Sequence, residues 1–453
     1  MIELSIAQVA AAVDGVARGE ATVTAVQTDS REPVAGALFV ALRGEAHDGH
    51  DHVRAAAAGG AVAALVEDAA ALGDLPGVVV ADTWRAIGAL GGAVRRRVDP
   101  TVVAVTGSVG KTTTKDLARA ALAADRRTVA AQGSFNNELG VPLTLLATRA
   151  DTEALVVEVG ARGIGHVAAL MPLVAPDVGV VTAVAGAHLE LFGDLDGVAR
   201  AKGELVEALP GDGTAVLAWD DPRVAAMASR THAHVLRVGR DGDVRARDVA
   251  LDDLARVRAS VSTPWGGAEL VVPVPGRHNL TNALLALGAA CAAGVAPEVA
   301  ARGLAGARVS RWRAEVTTRA DGVVVCNDAY NANPTAVLAA LLLLDDLRRP
   351  GGRTVAVLGH MAELGAGEAD GHREVGEAAG AGCDVVVGVG DVAPLVQAAH
   401  GQRADVHAVD TPDQAAELLS ALLRPDDAVL VKASRSAGLE AVAAALLDQE
   451  HPT

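Results

Sequence analysis

The sequence predicts an α/β protein built from three domains. Three observations carry that reading. At 453 residues the chain is too long for one ordinary core. Short apolar, β-like runs alternate with alanine-rich helical stretches from end to end. A glycine-rich turn at 106–113 sits between an apolar strand and a helix, which is how nucleotide-binding α/β sheets are built.

Residues 1–82 alternate runs such as 37–42 and 78–80 with helical stretches, predicting a small N-terminal α/β domain. A helix is expected over 82–97, stopping near Asp99-Pro100, followed by a strand at 102–105. The central domain, 83–308, then places strands at 154–159, 178–181 and 215–217 between helical segments, the order of a P-loop, doubly wound, mostly parallel sheet. After a short connection at Arg308, runs at 322–326, 354–358, 384–389 and 428–431 predict a C-terminal Rossmann-like domain, 309–453.

A net charge of −17 argues against nucleic acid or an anionic membrane as a partner, so an anionic ligand has to meet a local positive site. No run of 18 apolar residues suggests a spanning helix, and MIELSIAQVAAAVDG lacks the basic start and long apolar core of a signal peptide, so a cytoplasmic location is expected. Cys291, Cys326 and Cys383 are few and widely spaced, and are read as buried small side chains rather than as disulfides or a zinc site.

Of 39 basic Lys and Arg residues only four are lysines: Lys111, Lys115, Lys202 and Lys432. Asparagine is equally sparse, at 136, 137, 279, 282, 327, 331 and 333, and Tyr330 is the single tyrosine. In a composition that drifts toward Arg, Ala and Gly, a retained lysine points to a compact charge or to an amine that can lose its proton.

The turn is TGSVGKTT. Gly107, Ser108, Val109 and Gly110 let successive N–H groups converge on phosphate oxygens, Lys111 supplies charge, and the Thr112 hydroxyl, followed by Thr113, suits Mg2+. Val105 stands where the general motif has its first glycine, and a plain strand-to-helix turn is the alternative reading. A divalent ion would need ligands from neighbouring strand ends. Glu158 closes one strand and His188 follows another, although a solvated glutamate and a loop histidine are the ordinary explanations of such residues. Lys202, in ARAKGEL, is either a solvated helix lysine or a reactive amine.

Taken in order, TDSR, GALFVALRG, DGHDHV, TGSVGKTTTKD, GSFNNELGVPLTLL, VVEVGARGIGHV, AHLELFGDLDGVARAKGEL, GRHNLTNALLA, NDAYNANP, LGHMAELG and VLVKASRSAGLE resemble the Mur ligase family across essentially the whole chain. The resemblance implies that Lys111 and Thr112 hold ATP phosphates and Mg2+, that Glu158 and His188 bind two Mg2+ ions, and that Asn279 contacts adenine. It makes Lys202 a carbamylated lysine. Arg313, Asp328, Tyr330 and Asn331 are expected to close over ATP, and Asn136, Asn137, Asn333, Lys432, Ser434 and Arg435 to contact substrate. Ser30, Arg31, Asp48 and His50 are expected to hold the uridine nucleotide of a UDP-linked precursor.

Within the family, the NAN run favours the branch that joins D-alanyl-D-alanine to UDP-N-acetylmuramoyl-tripeptide, acting as a monomer. A diamino-acid-adding sibling, the folylpolyglutamate synthetases and a non-ligating nucleotide switch are the alternatives, and the DSR and DGH segments speak against the folate enzymes. Ser134, Ala218, Ala433 and His360 depart from the family's usual residues.

Overall fold

The computed structural model describes residues 1–186 and 189–448. Its strands lie in three main sheets. In the N-terminal part the strand order is Val16–Arg18, Gly77–Val79, Ala61–Val66, Ala37–Val40, Ala25–Gln27, parallel except for the first pair. Helix Ile6–Val13 covers it, started by a capping box in which Ser5 and Gln8 bond each other's backbone N–H.

The central sheet is six-stranded and wholly parallel, in the order His234–Val238, Thr214–Ala218, Val178–Val181, Thr101–Thr106, Ala154–Glu158, Thr128–Ala130. Its middle strands are valine-rich and buried on both faces, because helices cover both sides. The last sheet runs Glu315–Thr318, Val324–Asn327, Ala428–Lys432, Thr354–Leu358, Val385–Val389, Asp405–Val409, with only its first strand antiparallel.

The expected strands at 178–181 and 354–358 coincide with the observed ones, and the other expected runs shift by a residue or two at their ends. Strands Thr128–Ala130 and Glu315–Thr318 escaped the sequence pattern, being short and only partly buried. A three-stranded antiparallel sheet, Arg245–Leu251, Arg256–Thr263 and Gly266–Pro275, was also missed, because one face is exposed and its alternation is broken by bulges.

Helix Thr83–Val98 joins the first two parts. Asp82 caps it, and Ala86, Ile87, Leu90 and Val94 enter the N-terminal core beside Ile6 and Val9. Its glycines face the other way: a Cβ on Gly91 would lie 3.1 Å from the Pro142 carbonyl oxygen, and one on Gly92 3.3 Å from Leu173. Close approach of the helix to the central part is therefore what favours small residues here.

All three cysteines are buried, and burial pushes the Cys291 and Cys383 thiols up to about 12, so they are inert core side chains. Among the described residues no helix is long and apolar enough to cross a membrane.

Candidate active site

Register in the central sheet sets the site. Glu158 lies opposite Val105 and Val181 opposite Thr106, so the glycine-rich turn, Glu158 and the segment after Val181 emerge at one edge. Gly107 has φ +144°, and a Cβ there would stand 2.0 Å from Thr182 Oγ1. Gly110, at φ +82°, is the N-cap of helix Lys111–Ala123, and a Cβ on it would meet Asn282 Oδ1 at 2.4 Å. Both positions accept only glycine.

Thr182 Oγ1 donates to the Val109 carbonyl at 2.6 Å, fixing the loop from below. Thr114 Oγ1 donates to Asn282 Oδ1 at 3.3 Å, which ties the helix that follows the loop to helix Asn279–Ala292; there Asn282 donates to Asn279 Oδ1 at 2.8 Å and Asn279 to the Pro275 carbonyl at 2.7 Å.

Lys111 Nζ folds back on its own loop, donating to the Gly107 and Ser108 carbonyls at 2.8 and 3.1 Å. Burial pushes its ammonium below the usual lysine range; Glu158 opposes that shift and Arg313 adds to it. Glu158 is buried, and its Oε1 accepts from Asn136 Nδ2 at 2.8 Å while Oε2 has no partner among the described residues. Ser108 Oγ and Arg313 Nε are likewise buried without partners. Three orphaned polar atoms around one phosphate-type loop are an arrangement that an incoming ligand repairs. Their chemistry fits a nucleotide phosphate with a divalent cation: an unshared carboxylate oxygen and the Thr112 hydroxyl come from residues that line one cavity.

Lys202 lies on helix Leu195–Glu207 and is only 3% exposed, which removes the solvated-lysine reading. Its Nζ sits 5.5 Å from the Phe192 ring centroid and has no hydrogen-bond partner among the described residues. Burial, reinforced by Lys111 and opposed by Glu204, lowers its pKa to about 7. A neutral amine is thus available near neutral pH.

The last domain closes the other wall. Arg313 donates to Thr112 Oγ1 at 2.9 Å and stacks over Tyr330, 4.1 Å from the ring centroid; the Tyr330 hydroxyl bonds Ser134 across the domains. Lys432 Nζ pairs with Asp328 Oδ2 at 2.5 Å and donates to the Asn331 carbonyl at 2.9 Å. Between these walls lies a cavity of about 830 Å³.

Ser108 through Thr113, Asn136, Asn137, Glu158, Lys202, Asn279, Arg313, Asp328, Tyr330, Asn331, Asn333 and Lys432 all line it. Asn333 does so while capping helix Pro334–Asp346.

Other expected residues lie outside this lining. Ser434 accepts from Ala362 N at 2.9 Å, and Arg435 stacks on Trp312 at 4.2 Å and pairs with Glu440, so both shape loops behind the wall. Ser30 and Arg31 belong to an exposed turn where Arg31 pairs with Asp29. Asp48 accepts from His50 N and faces His50 Nδ1, while His50 Nε2 accepts from Glu67 N at 2.8 Å, so this pair pins a loop to a strand end. His188 lies outside the described residues.

One buried network was not anticipated. Lys115 Nζ donates to the Ala131 and Gly133 carbonyls at 2.8 and 2.7 Å and pairs with Asp116 Oδ1 at 2.8 Å. Asp116 Oδ2 accepts from Ser310 N and Oγ at 2.7 and 2.8 Å. The helix that begins at Lys111 therefore holds both the loop leading to Asn136 and the connection to the last domain. Asp116→Ala strands a buried ammonium, and is expected to lower stability by about 3–5 kcal/mol in urea unfolding. Ser310→Ala, which removes one hydroxyl bond, should cost only about 1 kcal/mol.

The fold and site together define an α/β protein of the phosphate-loop, nucleotide-binding class. Comparison profiles tile the chain: the Mur ligase family catalytic domain over residues 22–119, the Mur ligase middle domain over 105–290, and the Mur ligase glutamate ligase domain over 312–435. The chain belongs to the Mur ligase family.

Its relatives include the UDP-N-acetylmuramoyl-tripeptide--D-alanyl-D-alanine ligase of Mycobacterium tuberculosis, 41% identical over an alignment covering 99% of this chain and 98% of that one. Among solved structures, MurF from Acinetobacter baumannii superposes with a TM-score of 0.90 at 31% identity, covering 98% of this chain and 99% of that one. MurF ligase from Thermotoga maritima in complex with ADP gives 0.83 at 28% identity, covering 94% and 98%.

Proposed function

We propose that the chain is an ATP-dependent amide-bond ligase that joins D-alanyl-D-alanine to UDP-N-acetylmuramoyl-tripeptide, yielding the UDP-linked muramoyl pentapeptide of peptidoglycan synthesis. The supporting observation is a full-length likeness to ligases of that name, combined with a cavity whose phosphate loop and opposing cationic wall come from two domains. In this reading residues 1–82 hold the UDP end, 83–308 the ATP and 309–453 the closing wall. All proposed site residues come from one chain, so a monomer suffices, working in the cytoplasm where ATP and UDP-linked precursors are available.

The tripeptide's terminal carboxylate attacks the γ-phosphorus of ATP, breaking its bond to the β,γ-bridging oxygen and releasing ADP. The D-alanyl-D-alanine amine then attacks the acyl carbon of the acyl phosphate, loses a proton, and phosphate leaves as the tetrahedral intermediate collapses. Lys111 exchanges the Gly107 and Ser108 carbonyls for phosphate oxygens, and Arg313 brings a second cation from the opposite domain.

Glu158 Oε2 and Thr112 Oγ1 would hold Mg2+, together with His188 and a carbamate on Lys202. When bound, Mg2+ neutralises charge developing on the transferred phosphoryl group. Carbamylation adds CO2 to the neutral Lys202 amine with loss of one proton, which its lowered pKa favours. The last domain excludes water from the acyl phosphate.

The test is phosphate release from ATP with Mg2+, UDP-muramoyl tripeptide and D-alanyl-D-alanine, omitting each in turn. Release that needs both substrates, with a pentapeptide product by mass, supports the assignment. Turnover with the dipeptide precursor and a diamino acid moves it to the sibling activity.

A further inference from the structure

The reaction above draws on Lys111, Lys202 and Arg313 and leaves Lys432 and Arg162 of the cavity wall unused. Arg162 follows strand Ala154–Glu158 in sequence and lines the same cavity. Lys111 is engaged by loop carbonyls, Arg313 by Thr112 and Tyr330, and Lys432 by Asp328. The Arg162 side chain is exposed and has no acidic, carbonyl or aromatic partner among the described residues.

Its backbone, by contrast, is fixed. Arg162 N donates to His166 Nδ1 at 3.3 Å, His166 faces Glu138 Oε1 at 3.5 Å, and Gly160 N donates to the Asn136 carbonyl at 2.8 Å. A Cβ on Gly160 would stand 2.7 Å from Asn136 Oδ1, so this turn is packed hard against the segment that orients Glu158. That segment continues into helix Gly140–Leu146. Leu146 is part of the N-terminal core, and Leu139 and Leu143 pack against it. Arg162 thus stands on the stretch of wall that leads from Glu158 toward the N-terminal domain. A substrate held by its UDP end in that domain, with its terminal carboxylate near Glu158, has to pass it.

We propose that Arg162 is a specificity-determining residue that pairs with a second, unreacted carboxylate on the tripeptide's third residue. The proposal rests on the ligase reading. In the ligase reading the activated carboxylate would lie near Glu158, and a second one on the same residue would be a few bonds away along the wall that Arg162, four positions further along the chain, also lines. A guanidinium fork recognises a carboxylate through two parallel hydrogen bonds, which the singly charged alternative, a lysine-type third residue, cannot offer. The favoured substrate class is therefore a tripeptide ending in a dicarboxylic diamino acid such as diaminopimelate.

The experiment compares two UDP-muramoyl tripeptides, ending in diaminopimelate or in lysine, with wild type, Arg162→Ala and Arg162→Lys. The wild type is expected to show a KM about tenfold lower for the diaminopimelate substrate. Arg162→Ala should raise that KM about ten- to a hundredfold, leave kcat within a few-fold, and leave the lysine substrate's KM nearly unchanged. Arg162→Lys should fall between. Equal losses on both substrates, or no change on either, overturn the proposal, and unchanged thermal melting of the lysine variant guards against a folding artefact. Failure of the wild type to turn over either tripeptide would instead remove the ligase reading, and this proposal with it.

Discussion

Glu158→Gln is expected to leave the fold intact and to lower kcat for ADP formation by about 10²–10³-fold. The side chain is buried, and one oxygen already has its partner in Asn136 Nδ2. Glutamine keeps the shape and can offer its carbonyl oxygen to Asn136. Its amide nitrogen then occupies the place of Oε2, the oxygen that has no partner among the described residues. A donor would then face the proposed Mg2+ where a carboxylate oxygen is proposed to hold it. The measurement is a Mg2+ titration of ATP turnover alongside a melting curve. A variant with wild-type turnover at all Mg2+ concentrations would show that the orphaned oxygen has no role in the reaction.

Lys202→Met is expected to separate activity from stability, with ligation falling at least a hundredfold while the protein becomes harder to unfold. The wild-type amine titrates at about 7 rather than at the ordinary 10.5, chiefly because burial penalises its charged form. Between those two values the unfolded chain binds a proton that the folded chain does not. Stability therefore rises with pH across that window, and the penalty is felt in full below about pH 7. The shift is worth about 5 kcal/mol at 1.36 kcal/mol per unit. In CO2-free buffer the stability gap between variant and wild type should be widest near pH 6 and close as pH approaches 10. A gap that does not change with pH would contradict the burial of a titrating amine at this position.

Much of this arrangement is legible in the sequence itself, because two signals are strong. Long valine runs buried on both faces leave little ambiguity about the middle strands, and the turn around Gly107 and Gly110 sits where only a phosphate-binding sheet places it. Short or one-sided strands such as Thr128–Ala130 and Arg245–Leu251 carry no such pattern, since solvent tolerates polar residues there.

The scarcity of lysine and asparagine was a good pointer whose meaning was only partly taken. It flagged Lys115 and Asn282, yet their partners are backbone carbonyls and a glycine loop far away in sequence, which no local spacing encodes. Thr182 and Asp116 carried no signal at all: a threonine or aspartate acquires its role only when folding brings Val109 or Ser310 against it. In the N-terminal part the DGH segment was read for ligand chemistry, whereas its aspartate and histidine hold each other and the Glu67 amide.

The bond from Arg313 to Thr112 has a consequence for timing. An arginine from one domain bonds the hydroxyl of the other that the nucleotide's metal would use, so this contact has to break before the hydroxyl can serve the metal. Nucleotide with its metal is then expected to settle only once the last domain lifts that arginine away. Capture should then level off at the lifting rate however much ATP is supplied, and a plateau in the observed binding rate would be its signature in a stopped-flow trace.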